Sequence, residues 1–246
     1  MPARATGLRK PRAAAAQTLV AFVGWMTVAM PAWCAPPLAS DDASTLGPGE
    51  CQFETEHRRF RRRIEQDNVP VCNLWLDTEI GIGHQRVAPN AAPRADSIVV
   101  QFKKVLGTSE ETGWAFGIAA ATIRASGGQS GTRQNFANAL LTRQIGNTAL
   151  HLNVGFVYDR ESQPGIRRNR ASWAMAAEHD ASDRWTLVGE AFGQRSIGAT
   201  AQVGLRWWLV PKYVQLTTSQ GAQRGEGRDG RWVSFGVRLE TARSIF

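Results

Sequence analysis

Ile197 to Leu209 reads IGATAQVGLRWWL. Ile197, Ala199, Ala201, Val203, Leu205, Trp207 and Leu209 take one set of alternating positions, and Gly198, Thr200, Gln202, Gly204 and Arg206 take the other. Successive side chains of a strand point to opposite faces, so this stretch reads as a strand with one apolar and one wet face. The pattern recurs. Leu150, Leu152, Val154, Phe156 and Tyr158 oppose His151, Asn153 and Gly155, while Val233, Phe235, Val237 and Leu239 oppose Ser234, Gly236, Arg238 and Glu240. Ile98, Val100, Phe102 and Leu106 oppose Ser97, Gln101 and Lys103, and Leu74, Leu76, Ile80 and Ile82 oppose Asp77 and Glu79. No long segment shows the 3.6-residue period of a helix, so the fold class is all-β.

Residues 1–35 have the layout of a secretory signal peptide: Arg4, Arg9, Lys10 and Arg12, then an uncharged apolar run from Thr18 to Met30, then Pro31 to Ala35. The mature start is expected within 33–40. A retained anchor is the alternative, since the apolar run stretched back to Ala13 approaches the roughly 20 residues of a spanning helix. Four of the 29 Lys and Arg fall in this segment, leaving 25 against 21 acids, about +4 instead of +8. The remaining basic runs, HRRFRRR at 57–63, RRNR at 167–170 and RGEGRDGR at 224–231, read as loops. Only Phe60 interleaves with them, which argues against nucleic acid and for loops that meet the phosphates of surface lipid. Cys51 and Cys72 form an even pair in an exported chain; a disulfide or two thiols are the readings, and no metal-finger spacing is present.

An export signal, long strands and wet faces with full charges together favour an antiparallel up-and-down transmembrane β-barrel over a soluble sandwich. Strands are expected at Cys51–Glu56, Cys72–Gly83, Ser97–Leu106, Trp114–Ile123, Asn135–Ile145, Ala149–Tyr158, Ser172–His179, Trp185–Gln194, Ile197–Leu209, Val214–Ser219 and Trp232–Thr241. Trp75, Trp185, Trp207 and Trp208 near strand ends suit an aromatic girdle. Short connections alternate with long ones, and outer-membrane barrels keep the short turns periplasmic and the long loops outside. Taking Cys72–Gly83 as the first rising strand gives ten strands, with twelve as the alternative count. Residues 36–70 then form a flexible lead-in and a periplasmic or first-strand segment, and 71–246 the barrel.

The motifs PGEC.FETE, NLWLDTEIGIG, GWAFGIAAATI, TALHLNVGFVYDR, WTLVGEAFGQ and FGVRLE, spread over residues 48 to 241, resemble the outer-membrane barrel family of phenol-degradation meta-pathway transporters. The resemblance implies a passive barrel and supplies no catalytic residue. Phe246 also resembles the C-terminal aromatic of a barrel assembly signal.

Of the histidines, His57, His84, His151 and His179, only His151 falls mid-strand on a wet face. It reads as part of a polar network, since no nucleophile elbow or HExxH helix accompanies it; SGGQSG at 126–131 lacks the Lys of a phosphate loop. No enzyme activity, cofactor or metal is expected. The residues expected to line the lumen are Asp77, Glu79, Lys103, Arg143, His151, Asn153, Glu178, Glu190, Gln202, Arg206, Arg238 and Glu240, with Arg206 aimed at Glu178 and Glu190. Opposite charges in a narrow bore pair and fill it, so the expected function is a narrow passive conduit for small or hydrophobic solutes in the outer membrane of a Gram-negative bacterium. A non-transporting structural or binding barrel is the alternative. The expected partners are outer-membrane lipid, lipopolysaccharide and the barrel-assembly machinery.

Overall fold

The computed structural model describes residues 39–75, 77–126, 133–160 and 167–241. The signal segment and Phe246 lie outside the described residues. Twelve antiparallel strands close into a barrel: β1 Cys51–Phe60, β2 Arg63–Trp75, β3 Thr78–Pro89, β4 Ala95–Ser109, β5 Trp114–Ser126, β6 Arg133–Ile145, β7 Thr148–Asp159, β8 Asn169–Ser182, β9 Trp185–Gln194, β10 Thr200–Val210, β11 Val214–Gln223 and β12 Arg231–Glu240. Each strand pairs with its sequence neighbours, and β1 pairs with β12 to close the ring. Closure leaves no strand edge unpaired, which a bilayer requires because lipid offers backbone groups no partner.

The count is twelve, not ten. Cys72–Gly83 is not one strand: it turns at Asp77, whose φ is 53°, so its halves belong to β2 and β3. The Arg-rich run is not a loop either, because most of it lies in the β1–β2 hairpin, with only residues 61–62 between the two strands. Its charges alternate with the pleat. Glu54, Glu56, Glu65 and Asp67 are buried inside the barrel, where Arg58 pairs with Glu56 (2.6 Å) and Glu65 (3.2 Å). The barrel therefore starts at Cys51 instead of residue 71. The Cys51–Cys72 disulfide joins directly opposed residues of this first hairpin.

The strand expected to begin at Ile197 begins at Thr200. Ser196 adopts φ 69°, and Gly198 passes so close to the Arg224 carbonyl that a Cβ would meet its oxygen at 2.0 Å. From there the alternation holds, with Ala201 and Val203 exposed outside and Gln202 and Arg206 buried inside.

The outer face is a band of exposed apolar side chains, among them Ile82, Ile98, Val100, Phe116, Leu152, Val154, Phe156, Val203, Val233 and Phe235. Water would penalise such a band by about 25 cal/mol per Å², and a bilayer would not. Connections at the end near both termini are short (76–77, 110–113, 146–147, 183–184, 211–213) and those at the other end mostly longer (90–94, 127–132, 160–168, 195–199, 224–230). Outer-membrane barrels keep their short turns on the periplasmic side, and here the short turns share the end that holds both termini. Trp114, Trp185, Trp207 and Tyr213 cluster near it; Trp185 and Trp207 stack at 5.3 Å between ring centroids, whereas Trp208 has the inward parity.

Candidate functional site

The lumen is built by register. Direct cross-strand partners put Glu79 beside Lys103, Thr142 beside His151, Glu190 beside Gln202 and Glu54 beside Arg238. Gln202 Nε2 donates to Glu190 at 2.6 Å, and Arg238 Nε donates to Glu54 at 2.6 Å with Glu240 at 3.8 Å. Arg206 reaches Glu178 at 2.5 Å, while Glu178 stands 3.6 Å from His151 Nε2. Glu190 is not an Arg206 partner: its oxygens are taken up by Gln202 and by backbone from elsewhere.

That backbone is residues 39–50, which form a strap across the bore. From the short-turn mouth, Gly49 N–H donates to the Asn73 carbonyl (2.8 Å), and Asn73 Nδ2 donates to the Leu46 carbonyl (2.6 Å). Leu46 N–H donates to Glu79 (2.7 Å) and Ala43 N–H to Thr142 Oγ1 (2.8 Å). Asp41 exchanges two bonds with Asn153: its N–H donates at 2.6 Å, and its carbonyl accepts from Nδ2 at 2.8 Å. Ala39 N–H (2.8 Å) and Ser40 N–H donate to the two oxygens of Glu190. The anchors run from β2 and β3 through β6 and β7 to β9, the opposite wall of a twelve-strand ring.

Charge fastens the middle of the strap. Lys103 Nζ lies 3.2 Å from Asp41, 3.1 Å from Asp42 and 3.3 Å from Glu79. Burial pushes the Asp41 carboxyl up to about 6 against the pull of Lys103, whereas Asp42 is held below the usual carboxylate range by Lys103 and Ser44, which outweigh its burial. A cavity of about 40 Å³ beside Asp41, lined by Glu54, Glu79, Gln101, Lys103 and Asn138, has room for only a few waters. In the half nearer the long loops, Val99, Ile123, Phe136 and Val157 form a buried apolar cluster on the inner wall of β4–β7.

Ten of the twelve expected lumen residues have the inward parity: Glu79, Lys103, His151, Asn153, Glu178, Glu190, Gln202, Arg206, Arg238 and Glu240. Two do not. Asp77 sits exposed in the β2–β3 turn. Arg143 is on the outer face, paired with exposed Leu150 and Trp114, with its guanidinium 5.0 Å from the Trp114 ring centroid. The inward side of that stretch belongs to Thr142 and Gln144. Thr142, Asn73 and the strap itself were missed. Their contacts are largely to backbone N–H and C=O groups, which leave no residue-type signature.

A family model, uncharacterised conserved protein UCP029691, matches residues 22–241. The chain belongs to this family. The barrel is similar in fold to the KdgM porin in complex with disordered oligogalacturonate (TM-score 0.56, 10% identity) and to the NanC porin (TM-score 0.57, 7% identity). Each likeness covers 78% of this chain and 99% of the other. At such identities the likeness is one of fold. No curated protein sequence matches the chain.

Proposed function

We propose that the protein is an outer-membrane barrel serving as a narrow passive conduit for small solutes, with its own residues 39–50 setting the bore. The observation that carries this reading is the nature of the obstruction. The bore is crossed by a peptide strap held by hydrogen bonds and one lysine cluster, and the wall of β10 and β11 is lined by the polar groups Gln202, Gln215, Thr217 and Ser219. Twelve strands fall between the eight that side chains fill and the sixteen that leave an open channel, which suits a passage that a short segment can narrow. The similarity in fold to porins, the apolar outer band and the signal-peptide-like layout of the sequence over residues 1–35 support the outer-membrane location. The resemblance to phenol-degradation transporters and the apolar cluster at Val99, Ile123, Phe136 and Val157 point to small solutes with apolar character.

A hydrolytic reading would rest on Thr142, His151 and Glu178, which fall in line. The Thr142 oxygen already accepts the Ala43 N–H, and Glu178 is bound by Arg206, so a polar network holding the strap accounts for the same atoms. The test is swelling of vesicles carrying the purified protein in neutral solutes of graded size. Uptake restricted to the smallest solutes, with a higher size limit once residues 39–48 are removed, is expected. No uptake by either protein assigns the barrel to a non-transporting role.

A further inference from the structure

The apolar outer band has a gap. On β7 five consecutive outward residues are apolar or aromatic, Leu150, Leu152, Val154, Phe156 and Tyr158, whereas on β3 only Ile80 and Ile82 precede His84 and Arg86. Register extends the gap sideways. His57, Gln66, Arg86 and Asp96 form one row across β1 to β4, and Thr55, Asn68, His84, Ile98 and Arg124 form the next across β1 to β5. Arg59 continues the β1 column beside exposed Ile64 and Val233, which fixes it on the outer face. Four strand spacings make the patch roughly 19 Å wide.

Arg59, Arg86, Arg94 and Arg124 face one carboxylate, Asp96, so the patch carries a net +3 with His57 and His84 neutral. Asp96 organises it: Arg86 Nε (2.9 Å) and Arg94 Nε (3.0 Å) donate to its two oxygens, and His84 Nε2 lies 3.3 Å away. Each guanidinium carries five N–H donors, and these contacts use only Nε, so the Nη groups suit a further anion. Polar surface at the depth of hydrocarbon is costly unless a polar partner covers it.

We infer that the outer face of β1–β5 binds the phosphate groups of a phosphorylated glycolipid of the outer leaflet, of the lipid A type. The patch lies in the half of the barrel away from the short turns, hence in the outer leaflet. Planar guanidinium forks match phosphate oxygens bidentately. A second copy of the chain is disfavoured by charge, since a two-fold contact would set +3 against +3.

The test uses the full-length purified protein in mixed micelles with lipid A, phosphatidylglycerol or phosphatidylcholine, with retained lipid measured by mass spectrometry after gel filtration. Lipid A is expected to be retained at least about tenfold over both phospholipids, and R86Q/R124Q to lower that retention by about tenfold. R86K/R124K should restore part of it, and R195Q, in the β9–β10 loop, should leave it unchanged. Heat-modifiable gel migration confirms that each variant is a folded barrel. Equal retention by wild type and R86Q/R124Q overturns the inference, as does phosphatidylglycerol retained as well as lipid A. A concentration-dependent dimer abolished by R86Q/R124Q overturns it too, assigning the face to a second copy.

Discussion

Replacing Lys103 with Met should release the strap. Lys103 is the one cation within 4 Å of Asp41 and Asp42 among the described residues, and it also neutralises Glu79. Its side chain is 16% exposed, so water screens the cluster only in part. Met keeps the stem and removes the charge, which leaves three carboxylates facing one another. Removing one partner of a buried pair costs about 3–5 kcal/mol. The Glu79 contact belongs to the wall and persists when the strap leaves, so the share acting on docking is at the lower end, about 3 kcal/mol. A change of that size moves a two-state population by about a hundredfold. Single-channel recording in planar bilayers should show K103M open about a hundredfold more of the time than wild type, and K103R close to wild type. If K103M matches wild type while removal of residues 39–48 opens the channel, the lysine cluster does not hold the strap.

Acidification should tighten the strap. Docking raises Asp41 from 3.8 to about 6, so the docked state binds more protons between those values, and docking strengthens as pH falls from 7 towards 4. Open probability should fall over that window, and D41N should abolish the dependence; a rise on acidification would contradict the reasoning. Glu190→Gln removes the charge that accepts the Ala39 and Ser40 N–H groups, and should raise open probability by about tenfold, less than K103M because a neutral acceptor remains. Replacing Cys51 and Cys72 with Ser opens a crosslink with a sequence separation of 21, worth about 3 kcal/mol in the chain-entropy model, and should lower the barrel's thermal unfolding midpoint with no change in conductance. An unchanged midpoint would mean that the β1–β2 hairpin is held by its register alone.

Where side chains alternate cleanly, the sequence is enough to place them. His151, Asn153, Glu178 and Gln202 were legible as wet-face residues because an exposed apolar neighbour flanks each on at least one side, and Glu190 and Arg206 because the half-buried Ala191, Leu205 and Trp207 keep the same alternation. Arg143 was not, since a strand end near the membrane interface lets an arginine lie over Trp114 on the outer face. The first hairpin was hidden by its charges. The run at 57–63 looks like a solvated loop until pairing across β1 and β2 sets Arg58 among Glu56, Glu65 and Asp67 in an internal network. Residues 39–50 read as a lead-in because Pro, Ser, Asp and Gly mark irregular chain, and irregular chain is what threads a lumen: it keeps its N–H and C=O groups free for wall residues. Composition says that such a segment is no strand or helix, and it says nothing about where it docks.

The central claim, that residues 39–50 narrow a passage through the barrel, is tested most directly by single-channel conductance of the intact protein beside one lacking residues 39–48. Small, infrequent steps from the intact protein and larger, sustained steps from the shortened one are the predicted result. Equal conductance in the two, or none in either, would contradict the account.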